Sequence, residues 1–374
     1  MATIVVGAAG TWGDVLPLVA LAQGLRDRGH VVRFVVNKAH HPLIRQAGLA
    51  PSPCGCCYGI REARHLPKIP NDCSLAIPEF KKAESFLLDT PAQFRDLMNA
   101  CRGADLLIGH SFQYAAMLVH DELGIPWVCV SVTPGQFEHR EPIACTQPAP
   151  RATLNLLASS LHFSKPDPES NDHVRVTGFL FVDGSHFRTW QPDATLRSFL
   201  RRSGKVLVLS LGCLPGPEAD RVAMLCAQVA RQLKRRLVIQ PGWARINARR
   251  LASSHLCVAG PVPHDWLFSR AEAVIHHGGI GRCARALRNG VPMLLLPQRQ
   301  DQYFNTHAVL SLKAGAALSL DEIEEEGVFR VLAEKVLRPG CRKAAEKIAG
   351  RLRKEVGVAN ACGQVERLLR NQLL

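Results

Sequence analysis

Short β-branched apolar runs alternate with helix-length segments along this chain, and the alternation starts twice. A strand–helix–strand order of this kind demands parallel sheets whose faces are covered by crossover helices. In the first half, runs at 3–7, 31–36, 104–109 and 126–132 read as strands, with helices near 14–28, 79–102 and 112–123. The Gly/Pro-punctuated stretch TGFLFVDGSHFRTWQPDA (177–194) follows. Beyond it, strands are expected at 205–211, 236–240, 256–259, 272–276 and 292–296, and helices near 193–202, 217–234, 279–289 and 301–313. The expected fold class is therefore α/β: two doubly wound Rossmann-like domains, 1–187 and 188–340, facing across a cleft. A helical tail over 341–374 is expected to pack back on the first domain. With 374 residues, 47% of them apolar, there is material for two cores.

Several classes fall away. No apolar run approaches the ~18–20 residues that span a bilayer. The opening MATIVVGAAG has no basic leader and reads as a first strand, so a cytoplasmic protein is expected. The net charge of +14 favours anionic ligands. It is spread along the chain without aromatic-interleaved basic motifs or zinc-finger spacing, which argues against nucleic acid as a partner. Residues 341–374 hold eight Lys/Arg against three Glu, which suits a solvated helix face or a peripheral membrane-surface contact. The thirteen cysteines are scattered and odd in number, as for reduced thiols. CGCC at 54–57, with Cys73 beyond, lacks the paired C-x-x-C units of zinc sites and reads as a mobile loop with free thiols.

The stretch VVGAAGTWGDVLPL (5–18) spaces Gly7, Gly10 and Gly13 much as a dinucleotide-binding turn does. A short-chain-type reductase would add a Tyr-x-x-x-Lys pair. Tyr58, Tyr114 and Tyr303 are instead followed four places on by Glu62, Leu118 and His307. The second strand runs into Asn37 and Lys38 rather than a ribose-binding acid. Lys38 would suit a phosphorylated ribose, but the missing Tyr-x-x-x-Lys acid and the second α/β unit together argue against a reductase, and the loop needs another use.

The densest segment is 260–307. An apolar run ends in His276-His277, Gly278, Gly279 and Gly281 follow, and a helix opens that carries Arg282. Glycines let backbone approach a phosphate, a helix N-terminus attracts it, and a histidine can donate to it. Asp301-Gln302 follow the next strand, where a carboxylate and an amide suit sugar hydroxyls; equally, Asp301 could cap the helix 301–313.

Taken in order, GTWGDVLPLVALAQGLRDRGH (10–30), TGFLF (177–181), PHDWLF (263–268), HHGGIG (276–281) and DQYFN (301–305) resemble glycosyltransferase family 1, of GT-B fold, especially its sterol and macrolide- or glycopeptide-type branch. The resemblance implies an inverting transferase that moves a sugar from a nucleotide diphosphate (UDP- or dTDP-linked) to a hydroxyl of a hydrophobic acceptor. It implies no metal and no cofactor beyond the sugar nucleotide as co-substrate. On the donor side it assigns the diphosphate to His277 and the Gly278–Gly281 turn, the nucleobase to Val262 and Pro263, and the sugar to Asp301 and Gln302. Asp14 matches the branch's general base, with Gly10 and Gly13 shaping its loop. Partial burial against Trp12 or a charge partner would make that carboxylate a better base; the plainer reading is that Asp14 caps helix 14–28. His110, ending strand 104–109, is a rival base, a partner for Asp14, or structural. Thr11, Trp12, Phe80, Phe86, Phe112 and Tyr114 lie on loops expected to meet an apolar acceptor. The family pattern is broken at Arg282-Cys283, where small hydroxyl residues are usual. It is broken again at Gly212-Cys213, where Gly-Ser is common, and the acceptor side looks shortened around 140–170. Arg282 would add a phosphate contact or crowd the donor. These departures leave a second reading, a catalytically impaired relative that binds a nucleotide or serves as an auxiliary partner.

Overall fold

The apolar runs become the inner strands of two parallel sheets, because a strand buried on both faces needs no polar alternation. The computed structural model describes every residue except 11, 56–89, 112, 134–151, 166–173, 183–189, 213, 215, 243, 245, 248–250, 252, 299, 321–322 and 372–374. The chain divides into two compact units, Met1–Thr189 with Glu355–Leu374, and Trp190–Lys354.

Unit 1 contains β1 (Thr3–Ala8), β2 (Val31–Val36), β3 (Pro51–Pro53), β4 (Leu106–His110), β5 (Trp127–Ser131), β6 (Leu154–Leu157) and β7 (Val174–Val176), in the order β3-β2-β1-β4-β5-β6-β7. Between them run α1 (Trp12–Asp27), α2 (His41–Gln46), α3 (Thr90–Cys101) and α4 (Tyr114–Leu123). Val15, Leu18, Val19, Ala22 and Leu25 of α1 are buried at helical spacing. Leu97 of α3 and Ala116 of α4 join Val5, Leu107, Trp127 and Cys129 in a core on the sheet.

Unit 2 contains β8 (Val206–Ser210), β9 (Arg236–Gln240), β10 (Leu256–Val258), β11 (Ala273–His276), β12 (Met293–Leu295) and β13 (Gly315–Ala317), in the order β10-β9-β8-β11-β12-β13. Its helices are α5 (Ala194–Arg201), α6 (Gly216–Gln232), α7 (His264–Phe268), α8 (Ile280–Arg288), α9 (Gln300–Ser311), α10 (Glu325–Val331) and α11 (Pro339–Leu352). Asp193 caps α5, its Oδ1 accepting the Leu196 N–H at 2.7 Å.

The last helix, α12 (Gly357–Asn371), belongs to unit 1. It buries Ala361, Cys362, Val365 and Leu369, and its contacts with α1 include Val358 Cγ1 against Gly24. Asn360 Nδ2 donates to the Thr177 carbonyl at 2.9 Å, and Arg28 pairs with Glu366 at 2.7 Å. Among the described residues, no helix is long and apolar enough to cross a membrane.

Both sheets reverse strand order once, between β1 and β4 in unit 1 and between β8 and β11 in unit 2. In open α/β sheets, ligands bind beyond the carboxyl ends of the strands at such reversals. Two expected helix starts move. α1 opens at Trp12, which puts Asp14 in its first turn rather than at the cap, and α9 opens at Gln300, which does the same to Asp301. Pro17 therefore stands in the second turn of α1 and has no N–H for the carbonyl four residues back.

Candidate functional site

In unit 1 the reversal is flanked by the loop after β1 and the end of β4. Gly10 sits at φ +102°, a conformation only glycine adopts readily, and a Cβ there would lie 2.5 Å from Asp14 Oδ2. The carboxylate thus occupies the space a side chain at position 10 would need. Its Oδ1 is 3.7 Å from Nε2 of His110, the last residue of β4, too long for a hydrogen bond. His110 is wholly buried, and burial lowers its pKa against the opposing pull of Asp14, so the ring is neutral at pH 7. The Asp14 side chain keeps 17% of its surface open. The loop is fixed from the turn after β2: His40 Nε2 lies 3.1 Å from the Gly10 carbonyl, and the Trp12 indole meets the His40 ring edge-to-face at 4.8 Å. Trp12 thus packs on His40.

Beyond β4, Gln113 Nε2 donates to Gln93 Oε1 at 2.7 Å, and the Gly55 N–H donates to Asp96 at 2.9 Å. These bonds pin the chain at both ends of 56–89. Thr11, Cys56, Cys57, Cys73, Phe80, Phe86 and Phe112 lie outside the described residues, as does the Tyr114 side chain. Cys54 is buried in the unit 1 core, where burial pushes its thiol up to about 12.

In unit 2 the reversal lies between Gly212, after β8, and His277, after β11. Gly212 has φ +70°, and a Cβ there would come 2.5 Å from His277 Cε1 and 3.1 Å from Arg282 Nη2. The imidazole and the guanidinium therefore converge on the Gly212 backbone. Arg282 Nε donates to Ser210 Oγ at 2.8 Å, and its Nη1 lies 3.4 Å from His277 Nε2. Ser210 Oγ donates in turn to Gln240 Oε1 at 3.4 Å, and Gln240 Nε2 donates to the Val262 carbonyl at 2.8 Å. One polar chain thus runs from the Val262–Pro263 turn to the head of α8.

The Gly278 N–H donates to His276 Nδ1 at 3.1 Å, and its carbonyl accepts from Asn305 Nδ2 at 3.0 Å. The turn is fixed internally, while the first N–H groups of α8 remain directed off the helix end, where an anion is favoured. Gly279 stands at the N-cap without a side-chain cap, and Gly281 lies in the first turn. Burial, and then the Arg282 charge, lower the His276 pKa to about 3. Asp301 is exposed, whereas Gln302 is buried with its Oε1 accepting the Gln298 N–H at 2.9 Å. The oxygen of the amide expected to face a sugar is thus engaged within its own loop. Cys213 lies outside the described residues.

Ser210, Gln240, His40 and Gln113 escaped the motif reading, and Asn305 fell inside DQYFN without a role. The first two carried a signal: each is the polar last residue of an apolar strand, where ligand-binding loops begin. Among the described residues, no group of three or more His, Cys, Asp or Glu is placed to hold a metal ion.

The described arrangement offers a partly open carboxylate beside a neutral imidazole in unit 1, and a cationic, donor-rich loop in unit 2. Comparison with known proteins gives these features a family. Residues 4–137 match the glycosyltransferase family 28 N-terminal domain, and 228–361 match the erythromycin biosynthesis protein CIII-like C-terminal domain. The chain is 25% identical over 415 residues to a sterol 3-beta-glucosyltransferase of Pichia angusta, covering 94% of this chain and 32% of that protein. It is also 25% identical over 417 residues to sterol 3-beta-glucosyltransferase UGT80A2 of Arabidopsis thaliana, covering 96% and 64%. The chain thus spans about a third to two thirds of the length of these curated relatives. Among solved structures, the glycotransferase of kitacinnamycin superposes with a TM-score of 0.72 at 19% identity, covering 98% of this chain and 99% of that one. Glycosyltransferase VinC, in complex with dTDP, gives 0.72 at 18%, covering 99% and 100%. At that identity the likeness establishes the fold, and the two-domain α/β expectation is met.

Proposed function

Because the chain belongs to the GT-B glycosyltransferases, we propose that it transfers a sugar from a nucleotide diphosphate to a hydroxyl of a hydrophobic acceptor, with inversion and without a metal. The observation that carries this reading is the convergence of His277 and Arg282 on the Gly212 backbone at the head of α8. Two cationic or donor groups beside a helix N-terminus suit the charge that builds on a departing diphosphate. Val262 and Pro263 are the nucleobase turn of this reading, and the exposed Asp301 is its sugar contact. Gln302, whose Oε1 holds the loop, is a second sugar contact of this reading through its Nε2. Asp14 takes the acceptor proton as the oxygen attacks the anomeric carbon, and His110 positions it. The sterol glucosyltransferase relatives and the dTDP complex of VinC support a sterol-like or natural-product acceptor and a uridine or thymidine diphosphate donor.

The test is a transfer assay of UDP- and dTDP-sugars against sterols and polyketide alcohols, with the product anomer read by NMR and EDTA present. An inverted glycoside should form. Asp14→Asn should lose about 10²–10⁴-fold in rate while still binding the donor. A specific observation favours a second reading: Arg282 stands where the family's small hydroxyl residue would meet the phosphates. Donor binding without transfer to any acceptor would select that reading, a nucleotide-binding protein without catalysis.

A further inference from the structure

At the amino-terminal ends of the unit 2 strands, opposite the edge that holds His277, lies a groove of 820 Å³. Its walls come from Arg201 at the end of α5 with Arg202, Gly204 and Lys205 beyond it, Arg236 at the start of β9, Trp266 of α7 with Ser269–Glu272 leading into β11, and Arg342 of α11. Seven of its described lining residues are Lys or Arg, and one, Glu272, is a carboxylate. That carboxylate is already engaged, by Lys205 Nζ at 2.7 Å and Arg235 Nε at 2.6 Å. Among the described residues, no other acid pairs with the groove's arginines.

The guanidinium groups of Arg202, Arg236, Arg270 and Arg342 are held in place by neutral partners, which orient a charge without cancelling it. Arg236 is 8% exposed; its Nη2 donates to the Gly204 carbonyl at 2.8 Å and its Nη1 to that of Phe199. Its Nε is buried without a partner and faces Gly204, whose missing Cβ would lie 3.9 Å away on the groove wall. The Phe199 ring lies beside both Arg236 and Arg202, at 5.1 and 5.8 Å. Burial, and then the Arg202 charge, pull the Arg236 pKa below its ordinary value. Arg270 stacks on Trp266 at 4.1 Å and donates to that residue's carbonyl at 2.7 Å. Arg342 donates to the Glu272 carbonyl at 2.6 Å. Like charges fixed this close repel, and a bound anion offsets the repulsion.

We propose that this groove is a second anion site of unit 2, built for a multiply charged phosphate group. Guanidinium forks match phosphate oxygens in geometry. The volume falls within the roughly 300–1,000 Å³ of small-ligand pockets, and a single carboxylate would leave most of the charge unmatched. The phosphate comes from a soluble polyphosphate or from a phosphomonoester lipid headgroup. Neither source depends on the transfer reading.

The test uses the full chain. Inorganic tripolyphosphate is titrated by calorimetry, and flotation is measured with phosphatidylcholine vesicles with and without phosphatidic acid. Arg201→Glu/Arg270→Glu, both exposed at the rim, should weaken binding about tenfold or more, and Arg201→Gln/Arg270→Gln by less. Arg330→Glu/Lys347→Glu makes the same charge change off the groove and should stay within about twofold. His277→Ala should keep the binding, which separates this site from the head of α8. Tripolyphosphate binding without vesicle capture assigns a soluble anion, and capture that needs phosphatidic acid assigns a headgroup. The proposal falls if neither probe binds, or if the rim variants match wild type or the control.

Discussion

At Gly212 a methyl group would lie 2.5 Å from His277 Cε1, on a backbone at φ +70°, so alanine there must displace the imidazole or the strand end. Gly212→Ala should cost unit 2 about 1–3 kcal/mol and weaken donor binding. Gly260→Ala, with nothing within 4 Å of its Cβ position, should be near neutral. Thermal unfolding and nucleotide titration of both proteins decide this. His276 makes a pH prediction. Its folded pKa is lowered to about 3 from the ordinary 6.5. The unfolded chain therefore takes up a proton below pH 6.5 that the folded one refuses until near 3. The stability it contributes is complete above 6.5 and is lost as pH falls, at about 1.4 kcal/mol per pH unit. His276→Asn can still accept the Gly278 N–H, so urea unfolding between pH 7 and 5 should show a slope shallower by one proton. An unchanged slope would sink the assignment. Asp14, His277 and the glycines were legible because their chemistry is local to a motif. Of the groups around them, His110 was already a candidate beside Asp14 because it ends an apolar strand, whereas Ser210 was not: Arg282 reaches it across 72 positions of sequence, a distance that only the sheet closes.

The inner strands could be read from composition because burial on both faces selects apolar β-branched runs, as in VLVLS of β8 and WVCVS of β5. The strands outside the expected set stand away from the reversals. β3 is the edge PSP, possible because an edge strand tolerates proline; β13 is the edge GAA; β6 and β7 are short strands at the far side of the first sheet. Tertiary pairing, rather than propensity, makes them strands. α11 illustrates the same dependence. Its Arg342 reaches the carbonyls of Gly290 at 3.2 Å and Glu272 at 2.6 Å, joining the helix to the turn after α8 and the entry of β11. Arg342→Ala leaves those carbonyls without their donor and should lower unit 2 stability by about 1–3 kcal/mol, with Arg342→Lys recovering part of it. Equal unfolding midpoints for the three proteins would show that water replaces the guanidinium without cost.

At the scale of the whole chain, the C-terminal segment matters out of proportion to its length, because Glu355–Leu374 leave unit 2 and complete unit 1. At Gly357 a side chain would strike the Phe179 carbonyl, so the start of α12 lies directly on the TGFLF stretch. Ser160 donates to Glu355, and Gly24 of α1 leaves room for Val358 and Cys362. α12 buries Ala361, Cys362, Val365 and Leu369. At roughly 1.5–3 kcal/mol for a large apolar side chain, losing this face removes a substantial part of the ~5–15 kcal/mol that holds a typical domain. A chain ending at Lys354 should therefore lose hydrogen-exchange protection throughout β1, β4 and α1, while β8, β11 and α8 stay protected. It should unfold in two separated steps, since a two-unit chain has no single unfolding midpoint. Gly357→Leu should reproduce the unit 1 effect in milder form. In the truncated chain, nucleotide binding should persist while sugar transfer is lost. Uniform deprotection of both units would instead mean that they fold as one cooperative body, and unchanged protection of α1 would mean that α12 is dispensable.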